Sequence, residues 1–279
     1  MAGPIWLASY PKSGNTWLRL LLSNLLYGQE RPEDINGLRL TGQSLVNRGV
    51  IEEITLIDSF LLTRGECDNL RPALMDEVWQ EAGDRDVFIK LHDAYRSLAD
   101  GRPVLGRPAR AAVYVLRDPR DVAVSLAFHT GKPIATAVQQ IVSTSTRMGG
   151  SKPRHEQVVQ PLLDWGGHVH SWTRQRDVPV HVLRYEDLHA DTAGCLGRAV
   201  KFLGLTANAA ALARAVEQSD FSALRRQETE KGFRERRPES TAPFFRAGRV
   251  GGWRDVLTAD QIAAIEDGLG PVMAEFGYL

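Results

Sequence analysis

Residues 5 to 27, IWLASYPKSGNTWLRLLLSNLLY, constrain the fold of this chain more than any other stretch. Ile5 to Ser9 reads as a short buried strand. Tyr10 to Thr16 is a turn of small and polar residues. From Trp17 the spacing becomes helical, with Leu18, Leu21, Leu22, Leu25 and Leu26 at i, i+3, i+4, i+7 and i+8. Strand, small-residue loop and helix in succession is the unit with which α/β proteins hold a phosphate. The loop amides and the positive end of the helix dipole converge on one anion. Lys12 adds a full charge, and Ser13, Gly14, Asn15 and Thr16 are the candidate anion ligands. The order of residues is not G-x-x-x-x-G-K-[ST], because Lys12 precedes Gly14.

The rest of the chain alternates strands with helices. Asp86 to Leu91 and the wholly apolar Ala111 to Leu116 read as strands, as does Val180 to Leu183. Helices are expected over Pro72 to Ala82, with the proline in the first turn, and over Pro161 to Arg176, Cys195 to Leu203, Ala209 to Val216 and Ala259 to Leu269. Asp118 is a natural N-cap for a helix running to about Thr130, with Pro119 at its first position and Asp121 in its first turn. Leu38 to Leu40 and Leu45 to Leu62 suggest short helices broken by Gly37, Gly42 and Gly49. This alternation predicts an α/β fold, P-loop-like and three-layered, with a central mainly parallel sheet flanked by helices. Ligands are then expected at the carboxyl ends of the strands. No linker or repeat interrupts the chain, so residues 1–279 are expected to form a single domain. Residues 131–160 lose periodicity and contain Gly149-Gly150-Ser151-Lys152-Pro153; they and residues 228–245 are expected to be mobile.

A formal net charge of zero argues against a protein devoted to nucleic acid. Cys67 and Cys195 are too few and too far apart for a disulfide framework or a metal site, so two unpaired thiols are expected. No run approaches the ~18 apolar residues of a membrane helix. The chain also opens without a basic-then-apolar leader. The expectation is a soluble, cytoplasmic protein without an integral membrane segment; its oligomeric state is not legible.

Four further features bear on chemistry. Arg117 ends a strand and Ser125 stands eight positions on, in the helix that follows; an arginine fork and a hydroxyl there suit a phosphate, or else a surface ion pair and an exposed serine. Residues 246–253, RAGRVGGW, combine arginines with glycines that let backbone approach an anion, or form a solvated loop. Lys90-Leu91-His92 ends the second strand, where a neutral imidazole can accept a hydroxyl proton, although a lone histidine is more often structural or at the surface. Last, residues 225–254 hold nine Arg or Lys against four Glu.

YPKSGNTW resembles the 5′-phosphosulfate loop of the cytosolic sulfotransferase family, usually written YPKSGTTW, with Asn15 the one departure. Arg117 with Ser125 resembles that family's 3′-phosphate segment. Arg246-Ala247-Gly248-Arg249-Val250-Gly251-Gly252-Trp253 resembles its late RKGxxGxW motif, with Ala247 where lysine is usual and Arg249 a nearby substitute. Lys90-Leu91-His92 resembles its KxH segment, in which the histidine is the general base. The resemblance further implies that Trp17 stacks on adenine and that Tyr185, Ser219 and Phe221 approach the base. These motifs run in family order from residue 10 to residue 253. They imply 3′-phosphoadenosine-5′-phosphosulfate as co-substrate and no metal, with catalytic roles for Lys12, His92 and Lys90. Lys12, Ser13, Gly14, Asn15, Thr16, Trp17, Arg117, Ser125, Tyr185, Ser219, Phe221, Arg246, Ala247 and Gly248 are then the donor-binding positions. The acceptor would be a small molecule or natural product bearing a hydroxyl or amine. A P-loop-type kinase or nucleotide hydrolase, and a nucleotide-binding protein without turnover, share enough of these features to stay open.

Overall fold

A computed structural model describes residues 2–40, 45–150 and 156–279. The chain is α/β, with a central parallel sheet flanked by helices. It divides into two compact units interleaved in sequence: residues 1–10, 41–114 and 143–182, and residues 11–40, 115–142 and 183–279.

The first unit is built on the sheet. Strands β1 (Pro4–Ser9), β2 (Val87–Leu91), β3 (Ala111–Leu116) and β6 (Val180–Arg184) lie in the order β2-β1-β3-β6; the last two residues of β3 and of β6 belong to the second unit. β1 and β2 run parallel, Leu7 standing opposite Lys90 and Ala8 opposite Leu91. β1 and β3 are buried along their whole length, which explains their unbroken apolar character. The unit also contains α2 (Arg48–Thr55), α3 (Arg64–Ala82) and α6 (Trp165–Thr173), and a short antiparallel pair, β4 (Arg147–Met148) with β5 (Gln160–Pro161). Its aromatic core gathers Trp6, Tyr95, Tyr114 and Trp172, whose rings meet at centroid distances of 5.4 to 6.1 Å.

The second unit is helical. It holds α1 (Asn15–Tyr27), α4 (Pro119–Thr130), α5 (Ile134–Val142), α7 (Tyr185–Ala190), α8 (Thr192–Phe202), α9 (Ala209–Gln218), α10 (Phe221–Lys231) and α11 (Ala259–Glu275). α1 packs on α9, and α4 on α5 and α11. Leu20 of α1 and Leu224 of α10 enclose a cluster with Ile35, Leu38, Phe233 and Phe245.

Several elements depart from the sequence reading. α3 starts eight residues before Pro72, because Thr63 and Glu66 form a capping box that sets its N-terminus; the proline lies inside the helix rather than in its first turn. Residues 131–160 contain α5, whose buried face is only Ala137, Val138 and Ile141, too short a stripe to register as periodic. Of the stretch 149–153, residues 151–153 lie outside the described residues. Pro161 belongs to β5, and the helix after it begins at Trp165, where the Asp164 side chain caps the Gly167 amide. Leu38 to Leu40 is not helical. α11 continues through Pro271 to Glu275, past the expected end at Leu269. α10 was not expected as a helix. It buries only Leu224 and Glu228, and is polar elsewhere.

Cys67 and Cys195 are free and buried, as expected. Among the described residues no helix is long and apolar enough to cross a membrane.

Candidate active site

In the second unit, the turn that enters α1 is held in an unusual backbone shape. Lys12 has φ 68°, and Gly14, the N-cap, has φ 107°. A Cβ on Gly14 would lie 2.7 Å from Cδ2 of Tyr185, so only glycine fits there. Ser13 is buried and its hydroxyl has no hydrogen-bond partner. The Thr16 hydroxyl donates to Oε2 of Glu235 at 3.2 Å and accepts from Nη2 of Arg19 at 3.3 Å. The same Arg19 nitrogen donates to Oε1 of Glu235 at 2.6 Å. The Thr16 hydroxyl therefore belongs to this ion-pair network. Arg19 and Glu235 carry no local motif and escaped the sequence reading.

Arg117 braces this turn. Its Nη1 donates to the Lys12 carbonyl at 3.3 Å and its Nη2 to the Arg249 carbonyl at 3.2 Å. The guanidinium carbon lies 4.3 Å from the centroid of the Tyr185 ring. Asp121, one helical turn after Arg117, accepts from the Gly251 and Trp253 amides at 2.8 and 3.0 Å. The acid expected only as a helix-dipole partner thus also pins the glycine-rich loop after Arg246. Arg249 forms an exposed ion pair with Asp255 at 2.7 Å, and Ala247 is half-buried.

Arg246 stacks over Phe128, 4.3 Å from the ring centroid. Burial, then the nearby charges of Arg117 and Arg249, hold its pKa below the usual arginine value, with Asp121 opposing. This is a crowding of cations of the kind an anion relieves. A small cavity brings Lys12, Ser125 and Arg246 together with Phe128, His129, Ser240, Pro243 and Phe244. The Lys12 ammonium lies 3.8 Å from the Phe244 ring centroid. Phe244 is positioned by its neighbours: the buried Glu228 carboxylate accepts from the Phe244 and Phe245 amides at 2.6 and 2.9 Å. Residues 240–241 are tied to the Phe128 carbonyl by the Ser240 hydroxyl and the Thr241 amide.

An aromatic group lies beside the turn. Trp17 meets Tyr185 edge-on at 5.7 Å and donates its indole N–H to the Ser219 carbonyl at 3.1 Å. The Ser219 hydroxyl is wholly buried and accepts from Asn24, so Ser219 acts by holding Trp17. Phe221 packs under Gly248, where φ is 58° and a Cβ would lie 2.3 Å from the Phe221 ring. His189 donates from Nε2 to the Gly248 carbonyl at 2.9 Å, its ring between 6.3 and 6.4 Å from those of Tyr185 and Trp17. Sequence reading passed over His189, although it lies one helical turn after Tyr185.

The first unit holds Lys90 and His92, at and just beyond the end of β2. His92 Nδ1 lies 2.9 Å from the Ser9 carbonyl and 3.3 Å from the Ser9 hydroxyl. A carbonyl can only accept, so Nδ1 carries the proton and Nε2 is the basic nitrogen. The backbone on either side is fixed. His168 Nε2 donates to the His92 carbonyl at 3.1 Å. The Asp93 carboxylate takes two bonds from the buried Arg71, at 2.8 and 2.9 Å, and its carbonyl accepts from Trp172. Lys90, half-buried, pairs with Leu7 of β1 in the strand register. Among the described residues no group of three or more His, Cys, Asp or Glu is placed to hold a metal ion.

The sulfotransferase domain family model matches residues 3–277. Cytosolic sulfotransferase 13 of Arabidopsis thaliana is 25% identical over 261 residues, covering 91% of this chain and 72% of the relative. Two solved structures share the fold. Retinol dehydratase, in a complex with retinol and PAP, aligns over 97% of this chain and 81% of its own at TM-score 0.64 and 20% identity. Mouse sulfotransferase SULT7A1, complexed with PAP, aligns over 97% and 84% at TM-score 0.59 and 18% identity.

Proposed function

The chain belongs to the sulfotransferase domain family, and we propose that it moves a sulfuryl group from 3′-phosphoadenosine-5′-phosphosulfate to a hydroxyl or amine of a small-molecule acceptor. The observation that carries this reading is a pair of anion-binding places in one unit: the Lys12 turn, with the buried and unpartnered Ser13 hydroxyl, and Arg246 beside Ser125 on the cavity that Lys12 also lines. A nucleotide with phosphate at both 3′ and 5′ positions needs two such places. The two structural neighbours, each named as a complex with PAP, support it.

The residues fit such a donor. Lys12 and the Ser13, Gly14, Asn15 and Thr16 backbone hold the 5′-phosphate. The buried Ser13 hydroxyl, unpartnered in the protein, supplies a further donor. Ser125, Arg246 and Gly248 hold the 3′-phosphate, with Arg117 bracing both loops. Trp17, Tyr185 and Phe221 flank the base, and Ala247 adds only backbone. When bound, the co-substrate supplies an activated sulfuryl group whose leaving phosphate gains negative charge. Lys12 stabilises that charge. His92, with Nε2 basic, takes the acceptor proton. Lys90 orients the reacting groups. No metal has a role in this scheme. The whole chain acts as one sulfotransferase domain, and the relatives named as cytosolic support a cytoplasmic location.

Calorimetric titration tests the donor assignment. 3′-Phosphoadenosine-5′-phosphate is expected to bind more tightly than adenosine 5′-phosphate or ATP with magnesium. A preference for ATP with magnesium would overturn the reading in favour of a kinase or hydrolase. A labelled-donor assay over a panel of alcohols, phenols, sugars and amines then tests turnover. His92→Ala and Lys12→Ala should each lose about two orders of magnitude or more. Nucleotide binding without turnover of any acceptor would favour a non-catalytic nucleotide-binding protein.

A further inference from the structure

His129 was in none of the motifs, yet it lines the same cavity as Lys12, Ser125 and Arg246. Ser125 and His129 are four residues apart on α4, so they project from one face of that helix. His129 stands in the helix's last turn, where the negative end of the dipole favours a basic group. Its ring meets Phe244 edge-on, at 5.9 Å and 85°. That phenylalanine lies over the Lys12 ammonium.

Among the described residues that line the cavity, Lys12 and Arg246 are cationic and none carries a carboxylate. The nearest acid on α4, Asp121, spends its two oxygens on the Gly251 and Trp253 amides. Ser240, the other hydroxyl of the lining, donates to the Ala242 carbonyl at 2.7 Å and is turned toward backbone. A ligand here meets two cations, the Ser125 hydroxyl, an imidazole and two phenyl faces.

We propose that His129 is an oxyanion-binding residue of the donor site, donating a ring N–H to a phosphate or sulfuryl oxygen at the cavity that Lys12, Ser125 and Arg246 line. The inference rests on the donor assignment above and adds a contact to it. The oxyanion has two sources on the donor, the 3′-phosphate and the transferred sulfuryl group. Three nucleotides separate them. Adenosine 5′-phosphate has neither group, 3′-phosphoadenosine-5′-phosphate has the first, and adenosine 5′-phosphosulfate has the second.

The test is calorimetric titration of these three into wild type, His129→Ala and His129→Lys, with thermal melting of each protein to show that it is folded. His129→Ala should weaken one of the two larger nucleotides by roughly tenfold or more, the effect of a lost hydrogen bond to a charged group. Adenosine 5′-phosphate should shift less than about twofold in the same comparison. His129→Lys, which places another N–H donor there, should recover most of the affinity. A selective loss for 3′-phosphoadenosine-5′-phosphate assigns the contact to the 3′-phosphate, and a selective loss for adenosine 5′-phosphosulfate assigns it to the sulfuryl group. An equal shift for all three nucleotides, or none for any, overturns the proposal. Failure of the donor assignment itself reads differently: wild type would then not distinguish 3′-phosphoadenosine-5′-phosphate from adenosine 5′-phosphate.

Discussion

His168 donates from Nε2 to the backbone carbonyl of His92 at 3.1 Å, so a buried histidine fixes the main chain of a half-buried one. Its second nitrogen lies 2.8 Å from the Tyr114 hydroxyl. With Nε2 donating to a carbonyl, Nδ1 accepts the Tyr114 proton, and the neutral ring is satisfied on both sides. A protonated ring would carry a proton at Nδ1 and make the Tyr114 hydroxyl turn to accept rather than donate. Burial moves the His168 pKa down from the ordinary 6.5 to about 4.

That depression makes the fold acid-sensitive. In the native state His168 stays neutral to about pH 4, whereas in the unfolded chain it binds a proton below 6.5. The unfolded state therefore holds more protons across this window, and stability falls as pH drops through it. At pH 5 the loss from this one group is about 2 kcal/mol relative to pH 8. Urea unfolding at the two pH values should show it. His168→Gln, which can donate to His92 and accept from Tyr114 without titrating, should flatten that part of the profile; an unchanged slope would remove His168 as its source.

Removing one charge of the Arg19–Glu235 pair should be costly. Arg19 is 2% exposed and Glu235 22%, with 2.6 Å between them. Glu235→Gln leaves a buried guanidinium facing a neutral amide and should destabilise by about 2 to 3 kcal/mol. Arg19→Met with Glu235→Gln should recover much of that loss, because the uncompensated charge is gone. Urea unfolding of wild type, Glu235→Gln, Arg19→Met and the double variant measures the coupling. Additive losses would mean that the pair contributes little beyond packing.

Much of the fold was legible because its signals are local. The apolar runs of β1 and β3, the leucine stripe of α1 and the Asp118-Pro119 start of α4 each lie within a few residues. The Lys12 turn, Arg117 with Ser125, and the RAGRVGGW loop could be found for the same reason. What was missed depends on distant partners. Glu235 meets Arg19 across 216 residues, and Asp121 meets Gly251 across 130. α10 is polar because its buried face is one leucine and a glutamate whose carboxylate caps the Phe244 and Phe245 amides. Nothing in RRQETEK announces such a partner. Thr16 and Ser219 were expected to face the ligand by motif alone; the hydrogen bonds of their hydroxyls are set by Glu235 and Asn24, which no motif includes.

Asp121 offers a way to loosen the glycine-rich loop without touching a proposed ligand contact. Asp121→Asn keeps one accepting oxygen and turns the other into an amide that faces an N–H. One of the Gly251 and Trp253 amides then loses its partner, at a cost of about 1 to 3 kcal/mol. Calorimetry should show weaker binding of 3′-phosphoadenosine-5′-phosphate, because Arg246 and Gly248 belong to the same loop. Adenosine 5′-phosphate should be affected less. Equal weakening of both would place the effect in the whole unit rather than in this loop.

Gly14 tests the shape of the Lys12 turn most directly. A methyl group there meets the Tyr185 ring at 2.7 and 3.3 Å, and an L-residue would have to adopt φ 107°. The two penalties separate. Strain at such a φ costs about 1 to 3 kcal/mol wherever it occurs, whereas the clash can be removed by shortening the neighbour. Gly14→Ala should therefore destabilise the protein and abolish nucleotide binding, since the amides after Gly14 shift together. Tyr185→Leu in the Gly14→Ala background removes the clash and should restore part of the stability, leaving the deficit due to φ. Binding should not return with it, because Arg117 loses the ring beneath its guanidinium and the base loses one flanking aromatic. Melting temperatures and calorimetry on the single and double variants separate these effects. Full recovery of both stability and binding in the double variant would show that the turn tolerates an alanine backbone, and that crowding by Tyr185 alone requires the glycine.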